Sequence, residues 1–197
     1  MIRTANTSDL KRIIELLHQV NMVHHVIRPD LFKPYTTKYN EQELEGLLSD
    51  ESKPIFVYDD GVVRGYAFCQ ISEVKDNQLL QDVKTLYIDD ICVDENARGK
   101  HVGKALYEYV RDYARSIGCY HITLNVWEGN AAALSFYRNM GMKVQKTTME
   151  AILWQRLFRL TVAGRCQGTC TWHTDGWWKK DDGITVKKQQ KIWNIQI

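Results

Sequence analysis

The chain has 197 residues, 44% of them apolar and 25% charged, with a net charge of +2. That is enough length for one domain with its own core, and too little charge to argue by itself for nucleic acid or a membrane surface as partner. The opening residues "MIRTANTSDLKRIIELL" carry no basic start before an apolar core, so no signal peptide is expected, and no apolar run approaches the roughly 20 residues that span a bilayer.

The five cysteines are odd in number and irregularly spaced. They favour a reducing, cytoplasmic setting over a disulfide framework.

"MIRTA" predicts a first strand. In "TSDLKRIIELLHQV" the spacing of Leu10, Ile13, Ile14, Leu16 and Leu17 is helical, with Thr7 or Ser8 as N-cap. "HHVIRPDLFKPY" is read as an irregular connection, and "NEQELEGLLSD" as a second, acidic helix. Two β-rich runs flank Asp60-Gly61, a hairpin signal. "TLYIDDICV" is a further strand. After the loop "DENARGKHVGK" comes a helix whose stripe is Leu106, Tyr109, Val110, Tyr113 and Ile117, ended by Gly118. "YHITLNVW" is a strand, "NAAALSFYRNMG" a helix between Asn130 and Gly141, and "MKVQKTTMEAIL" a last strand. The order β-α-α-β-β-β-α-β-α-β predicts an α/β chain with a mixed sheet. An antiparallel meander comes first, then a crossover helix leads to a parallel neighbour.

Composition changes after Leu153. Residues 154–197 hold five of the six tryptophans, are basic, and show short β-like runs around turns at Asp175-Gly176 and Asp182-Gly183. The expected division is a domain at 1–153 and an atypical extension at 154–197. That extension is either an evolved β-rich appendage, docked through Trp172, Trp177, Trp178 and Trp193, or non-native sequence. Cys166, Cys170 and His173 lack a clear fourth ligand and make a poor zinc set, so no metal is expected.

The loop before the third helix has the features of an anion site. A helix N-terminus offers unpaired N–H groups and a partial positive charge. Arg98, Lys100 and Lys104 add charge, while Gly99 and Gly103 permit close approach. His101 keeps its backbone N–H, and its Cβ is a problem only where φ is positive. A plain basic turn remains the alternative on these residues alone.

Residues 86–144, "LYIDDICVDENARGKHVGKALYEYVRDYARSIGCYHITLNVWEGNAAALSFYRNMGMKV", resemble the acetyl-CoA-binding half of the GNAT superfamily of N-acetyltransferases. Arg98 and Gly103 match its Arg/Gln-x-x-Gly-x-Gly/Ala loop, with His101 in place of the first glycine. Asn130, Ala133, Tyr137 and Gly141 match its later helix. The resemblance implies a central mixed, mostly antiparallel sheet with splayed parallel strands, flanked by helices. It also implies acetyl-CoA as co-substrate. The pantetheine arm would pair with backbone near Ile91, Cys92 and Val93, and the pyrophosphate would rest on Arg98, Gly99, Lys100, His101, Val102, Gly103 and Lys104. Asn130, Ala133 and Tyr137 would line the opposite wall. "YIDDICV" and "FYRNMG" are most similar to the spermidine/spermine branch, which implies a small-molecule amine acceptor. The family also implies a homodimer. Ribosomal-protein acetylating relatives carry a glutamate where this chain has Asn125, which weakens a protein-N-terminus reading; lysine acetylation or silent coenzyme binding are the alternatives.

Acetyl transfer to an amine requires a lone pair. An amine of pKa ~10.4 costs roughly 4–5 kcal/mol to deprotonate at pH 7. The thioester oxygen needs hydrogen-bond donors and the leaving thiolate an acid. The resemblance places Tyr137 beside the sulfur as that acid. Asp89 and Asp90 are candidates for base or cation clamp. As consecutive strand residues they are expected on opposite faces unless a bulge re-aims them. His25, with His24, Arg28 and Asp30, lies where the family's acceptor pocket is bordered, and solvated loop residues are the alternative. Cys92 is expected to pack rather than attack.

Overall fold

The computed structural model describes residues 1–153, together with the strands at 170–172, 178–180 and 185–186. Strand β1 (Ile2–Thr4) leads through a 3-10 turn at Thr7–Asp9 into helix α1 (Leu10–Ile27). The cap precedes the expected Thr7 or Ser8. Asn6 accepts the Ser8 amide, and the Asp9 carboxylate accepts the Asn6 amide, a reciprocal arrangement that satisfies two otherwise orphaned donors.

Helix α1 also continues through His24 and His25, which the sequence reading put in the connection. It stops at Arg28, whose non-helical backbone (φ −134) is what the following Pro29 demands. Helix α2 (Glu41–Leu48) starts at Asn40 in a capping box with Glu43.

The sheet is built from β2 (Ile55–Asp59), β3 (Val63–Val74), β4 (Val83–Val93) and β5 (His121–Leu124), with β1 at its edge; the order is β1-β2-β3-β4-β5. All pairs are antiparallel except β4 with β5. Helix α3 (Val102–Ser116) makes the crossover, and α4 (Ala131–Asn139) follows β5. The hairpin turns at Gly61, whose φ of +103 suits glycine alone. The expected mixed sheet is therefore present.

Each face of the sheet buries a helix pair. On one, Leu10, Ile13, Leu16 and Leu17 of α1 and Leu44 of α2 meet Val57, Tyr66, Phe68 and Cys92. On the other, Leu106 and Val110 of α3 and Ala133 and Tyr137 of α4 meet Phe56, Ala67, Leu86, Ile88 and Val93. Each fully buried leucine or isoleucine contributes about 1.5–3 kcal/mol. Where α3 crosses the sheet, Gly65 has no room for a side chain: a Cβ there would stand 2.6 Å from the Cys92 carbonyl oxygen.

The expected last strand, 142–153, does not form. Val144, Met149, Ile152 and Leu153 stay exposed, and no described strand supplies the ladder that an alternating sequence needs. Contacts divide the chain into one unit built on Met1–Lys143 and another on Val144–Asn194. In the second, β6 (Cys170–Trp172), β7 (Trp178–Lys180) and β8 (Thr185–Val186) pair antiparallel. The turns expected at Asp175-Gly176 and Asp182-Gly183, the tryptophan side chains and the Cys166/Cys170/His173 set lie outside the described residues.

Candidate active site

Strand β4 organises the site. It pairs with β5 only from Thr85 to Ile88, against His121 to Leu124. Beyond Ile88 the two strands part, and residues 89–93 keep an edge that β5 does not pair.

At the same point the β3–β4 register shifts. Phe68 faces Asp90 and Cys69 faces Ile88, so Asp89 is an extra residue without a partner. This bulge is the exception under which the two carboxylates leave opposite faces. Leu86, Ile88, Ile91 and Val93 all pack toward α3 and α4, whereas Cys92 packs toward α1. Alternation then leaves both Asp89 and Asp90 on the α1 side, the usual consequence of two residues opposing one.

The two carboxylates have different partners. The Tyr66 hydroxyl donates to Asp90 at 2.8 Å, and Tyr66 itself is fully buried and packed edge-on against Phe68. Burial lifts Asp90 from the ordinary carboxylate range to about 6, with Tyr66 and Lys38 holding it down. Asp89 instead takes an ion pair from the Lys38 ammonium at 2.5 Å. Lys38 stays charged: burial pulls its pKa down, but the hydrogen bond to Asp89 and the surrounding negative charge push it above the ordinary value.

Two connections meet beside the end of α1. Phe32, between α1 and α2, meets Trp127, between β5 and α4, edge to face at 5.6 Å. The Arg28 guanidinium lies 5.4 Å over the same tryptophan. His25 is committed to this loop, its Nδ1 lying 2.7 Å from the Phe32 carbonyl oxygen. His24 also meets this loop. Its ring lies 5.0 Å from Phe32, and burial, then the Lys38 charge, lowers its pKa. Tyr87 accepts a hydrogen bond from Asn125 at 3.1 Å and joins β4 to the turn after β5.

On the other wall, Asn130 caps α4 by accepting the Ala133 amide at 3.1 Å. That duty fixes the helix on which Ala133 and Tyr137 are buried. Tyr137 packs against Tyr107 and Phe136. Its hydroxyl makes no hydrogen bond with a described residue, yet it is not sealed from solvent. Burial, then the charge of Asp90, raises its pKa, so the phenol stays protonated at neutral pH. Cys92 is no nucleophile: it is buried among α1 residues, 3.4 Å from the Gln19 amide nitrogen, and its thiol pKa is raised by burial.

The loop at 94–101 is held from behind. Asp94 caps the 3-10 turn at Glu95–Ala97 and takes a 2.5 Å bond from Arg12 of α1. Gln19 spans the same junction, donating to the Val93 carbonyl and accepting from the Glu95 amide. The chain then passes through Arg98, extended, and two left-handed residues, Gly99 at φ +74 and His101 at φ +60, before α3 begins at Val102. Left-handed residues just ahead of a helix turn successive N–H groups toward one point, the pattern of an anion nest. His101 thus occupies a conformation that favours glycine. Lys100, His101 and Lys104 are exposed, while Val102 and Gly103 are buried. Arg98 and Lys100 make no ion pair with a described residue.

Two surface hollows, near 430 and 310 Å³, lie elsewhere and include none of the expected site residues. Among the described residues no group of three His, Cys, Asp or Glu is placed to hold a metal ion, and no helix is long and apolar enough to cross a membrane.

Residues 20–142 match the model of the acetyltransferase (GNAT) family. The chain belongs to that family. GNAT relatives include streptothricin acetyltransferase of Streptomyces lavendulae, 36% identical over 101 residues, which are 51% of this chain and 49% of the relative. Glucosamine 6-phosphate N-acetyltransferase of Arabidopsis thaliana is 35% identical over 66 residues, 34% of this chain and 42% of the relative. The chain thus spans about half the length, or less, of these curated relatives. Among solved structures, a variant of the BH1408 protein of Bacillus halodurans superposes with a TM-score of 0.75 at 29% identity, covering 78% of this chain and 99% of that one. The Arabidopsis glucosamine-6-phosphate enzyme superposes at 0.57 with 26% identity, covering 78% of this chain and 97% of that one. These relatives do not single out the spermidine/spermine branch within the GNAT family.

Proposed function

We propose that this chain is an acetyl-CoA-dependent N-acetyltransferase acting on a small primary amine by direct attack in one ternary complex. The observation that carries this reading is the β4 bulge, which sets two carboxylates on one face where β4 and β5 part.

The residues suit acetyl-CoA. The Arg98–Gly103 turn, whose Arg98 and Lys100 pair with no described residue, and the α3 N-terminus match a pyrophosphate, and the edge at 91–93 that β5 leaves unpaired matches an amide-bearing arm. Gln19 already occupies the Val93 carbonyl, so the remaining pairing falls to Ile91 and Cys92 backbone. Bound there, acetyl-CoA supplies a thioester-activated acetyl group.

The side chains divide the remaining work. Asp90 receives the proton that the acceptor nitrogen loses as its bond to the acyl carbon forms. Its raised pKa makes it a stronger base than an ordinary carboxylate while leaving it largely ionised at pH 7. Tyr137, neutral at that pH, gives its proton to the sulfur as the carbon–sulfur bond breaks. Phe32 and Trp127 offer an apolar border to the acceptor.

The acceptor class is a small molecule with a primary amine, the kind of compound that the names of the curated relatives specify. Incubation with acetyl-CoA and a panel of monoamines, amino sugars and diamines, read by free thiol and acetylated product, tests it. Amine-dependent thiol release supports the reading. Coenzyme binding without transfer to any amine would leave a silent binding module instead.

A further inference from the structure

The site contains a cation of its own. Lys38 lies in the connection between α1 and α2, and its ammonium rests on the bulged carboxylate, Asp89. That is the place where a cationic acceptor would be clamped. Resting on the acetyltransferase reading above, we propose that Lys38 sets acceptor specificity: it fills the cation-binding position at Asp89, leaves the reacting amine to Asp90, and disfavours acceptors with a second positive charge.

Three observations support this. First, the bulge turns Asp89 and Asp90 to the same face, so any acceptor that reaches Asp90 also meets the Lys38–Asp89 pair. Second, Lys38 is anchored on both sides. Its ammonium lies 5.4 Å over the neighbouring Tyr39 ring, and Tyr39 stacks on Phe68 at 5.8 Å, the residue paired with Asp90. The cation is therefore tied to the sheet rather than waving from a loop. Third, its field is felt by the groups around it: it lowers the pKa of His24 on α1 and of Asp90 and Tyr87 on β4.

The charge balance gives the substrate preference. Asp89 and Lys38 cancel, and Asp90 is occupied by the reacting ammonium before its proton leaves. A further ammonium on the acceptor then finds no unpaired carboxylate of this pair and meets the Lys38 charge. An anionic or neutral polar body meets no such penalty. Lysine keeps nearly half of its side chain in solvent, so replacing it does not empty a core position.

The test compares wild type with Lys38→Met and Lys38→Arg on three acceptors: glucosamine, glucosamine 6-phosphate and 1,4-diaminobutane. Lys38→Met, which keeps length and loses charge, is expected to raise kcat/KM for the diamine relative to the phosphate-bearing amine by roughly fivefold or more. The change should appear chiefly in KM. Lys38→Arg should keep the wild-type ranking. In an Asp89→Asn background the Lys38→Met effect should shrink, because no carboxylate is freed and only the repulsion is relieved.

The acid limb of the Lys38→Met pH profile should also move upward. The titratable groups around the pair are Asp90 and Tyr87 of β4, Tyr66 and Cys69 of β3, His24 of α1 and Tyr39 of the connection. Of these Asp90 is the carboxylate that loses a stabilising positive charge. An unchanged ratio of diamine to phosphate-bearing amine in folded Lys38→Met overturns the proposal while leaving the acetyltransferase reading intact. Calorimetric binding of 1,4-diaminobutane to wild type and Lys38→Met reads the same competition without turnover. If no acceptor is acetylated, equal diamine affinity still overturns it, and tighter binding by Lys38→Met still supports it.

Discussion

The Tyr66 hydroxyl on β3 donates to the Asp90 carboxylate on β4 across 2.8 Å, which ties the candidate base to a fully buried ring. Burial raises the Asp90 pKa to about 6 and the tyrosine bond opposes that rise. Removing the donor in Tyr66→Phe favours the neutral acid, so the folded-state pKa climbs further. Activity that needs the carboxylate ionised is then lost from a higher pH downward. The acid limb of kcat/KM is expected near pH 6 in wild type, higher in Tyr66→Phe, with modest loss at pH 8. A limb that stays in place would detach Asp90 from the rate.

Substituting the two carboxylates one at a time separates them. Asp90→Asn removes the proton acceptor and should lower turnover by ~10²-fold or more. Asp89→Asn leaves that group in place and frees Lys38, so its effect should fall mainly on KM and vary with acceptor charge. Steady-state kinetics on each variant decides. Equal losses in kcat would mean that the bulge does not divide their roles.

The sheet order and helices are legible in the sequence because each rests on local signals: the Asp60-Gly61 turn, the stripe on α3, and the Asn130 and Gly141 termini of α4. Three features are not local. The face shared by Asp89 and Asp90 depends on register with Phe68 and Cys69, some twenty residues away. The partners of the acids, Tyr66 and Lys38, read simply as a strand aromatic and a loop lysine. Residues 142–153 carry strand-like alternation but have no described ladder to join, so pattern alone misleads there. At the other end of the site, the positive φ of His101 has no local sequence signal, because a histidine there predicts an ordinary backbone.

That backbone angle gives a stability prediction. A left-handed non-glycine residue is strained by roughly 1–2 kcal/mol, partly offset in a glycine variant by greater unfolded-state entropy. His101→Gly should therefore raise the unfolding free energy by about 0.5–1 kcal/mol and barely change acetyl-CoA affinity, because the amide remains. Gly103→Glu, with bulk and negative charge at a buried position of the α3 first turn, should abolish coenzyme binding. Denaturant unfolding and calorimetry measure the two effects.

Arg12 links stability to the coenzyme loop. Its guanidinium is paired with the buried Asp94, which caps the turn leading to Arg98. Arg12→Leu leaves Asp94 short of a cation, with Arg64 too far, at 3.8 Å, to replace the bond without moving. A loss of about 2–3 kcal/mol is expected, as for a partly buried pair broken on one side. Acetyl-CoA affinity should weaken along with it. Urea titration with and without acetyl-CoA checks both, and intact affinity would show that the loop holds its shape without Arg12.

The most direct measurement is amine-dependent thiol release by wild type and Tyr137→Phe side by side, with acetyl-CoA affinity measured on both. Wild type should release thiol and acetylated amine in equal amounts, and only when amine is present. Tyr137→Phe, which keeps the ring and loses the proton, should turn over ~10²-fold more slowly at nearly unchanged coenzyme affinity. Equal turnover with chemistry rate-limiting, or thiol released with no acetylated amine formed, would contradict acetyl transfer between Asp90 and Tyr137.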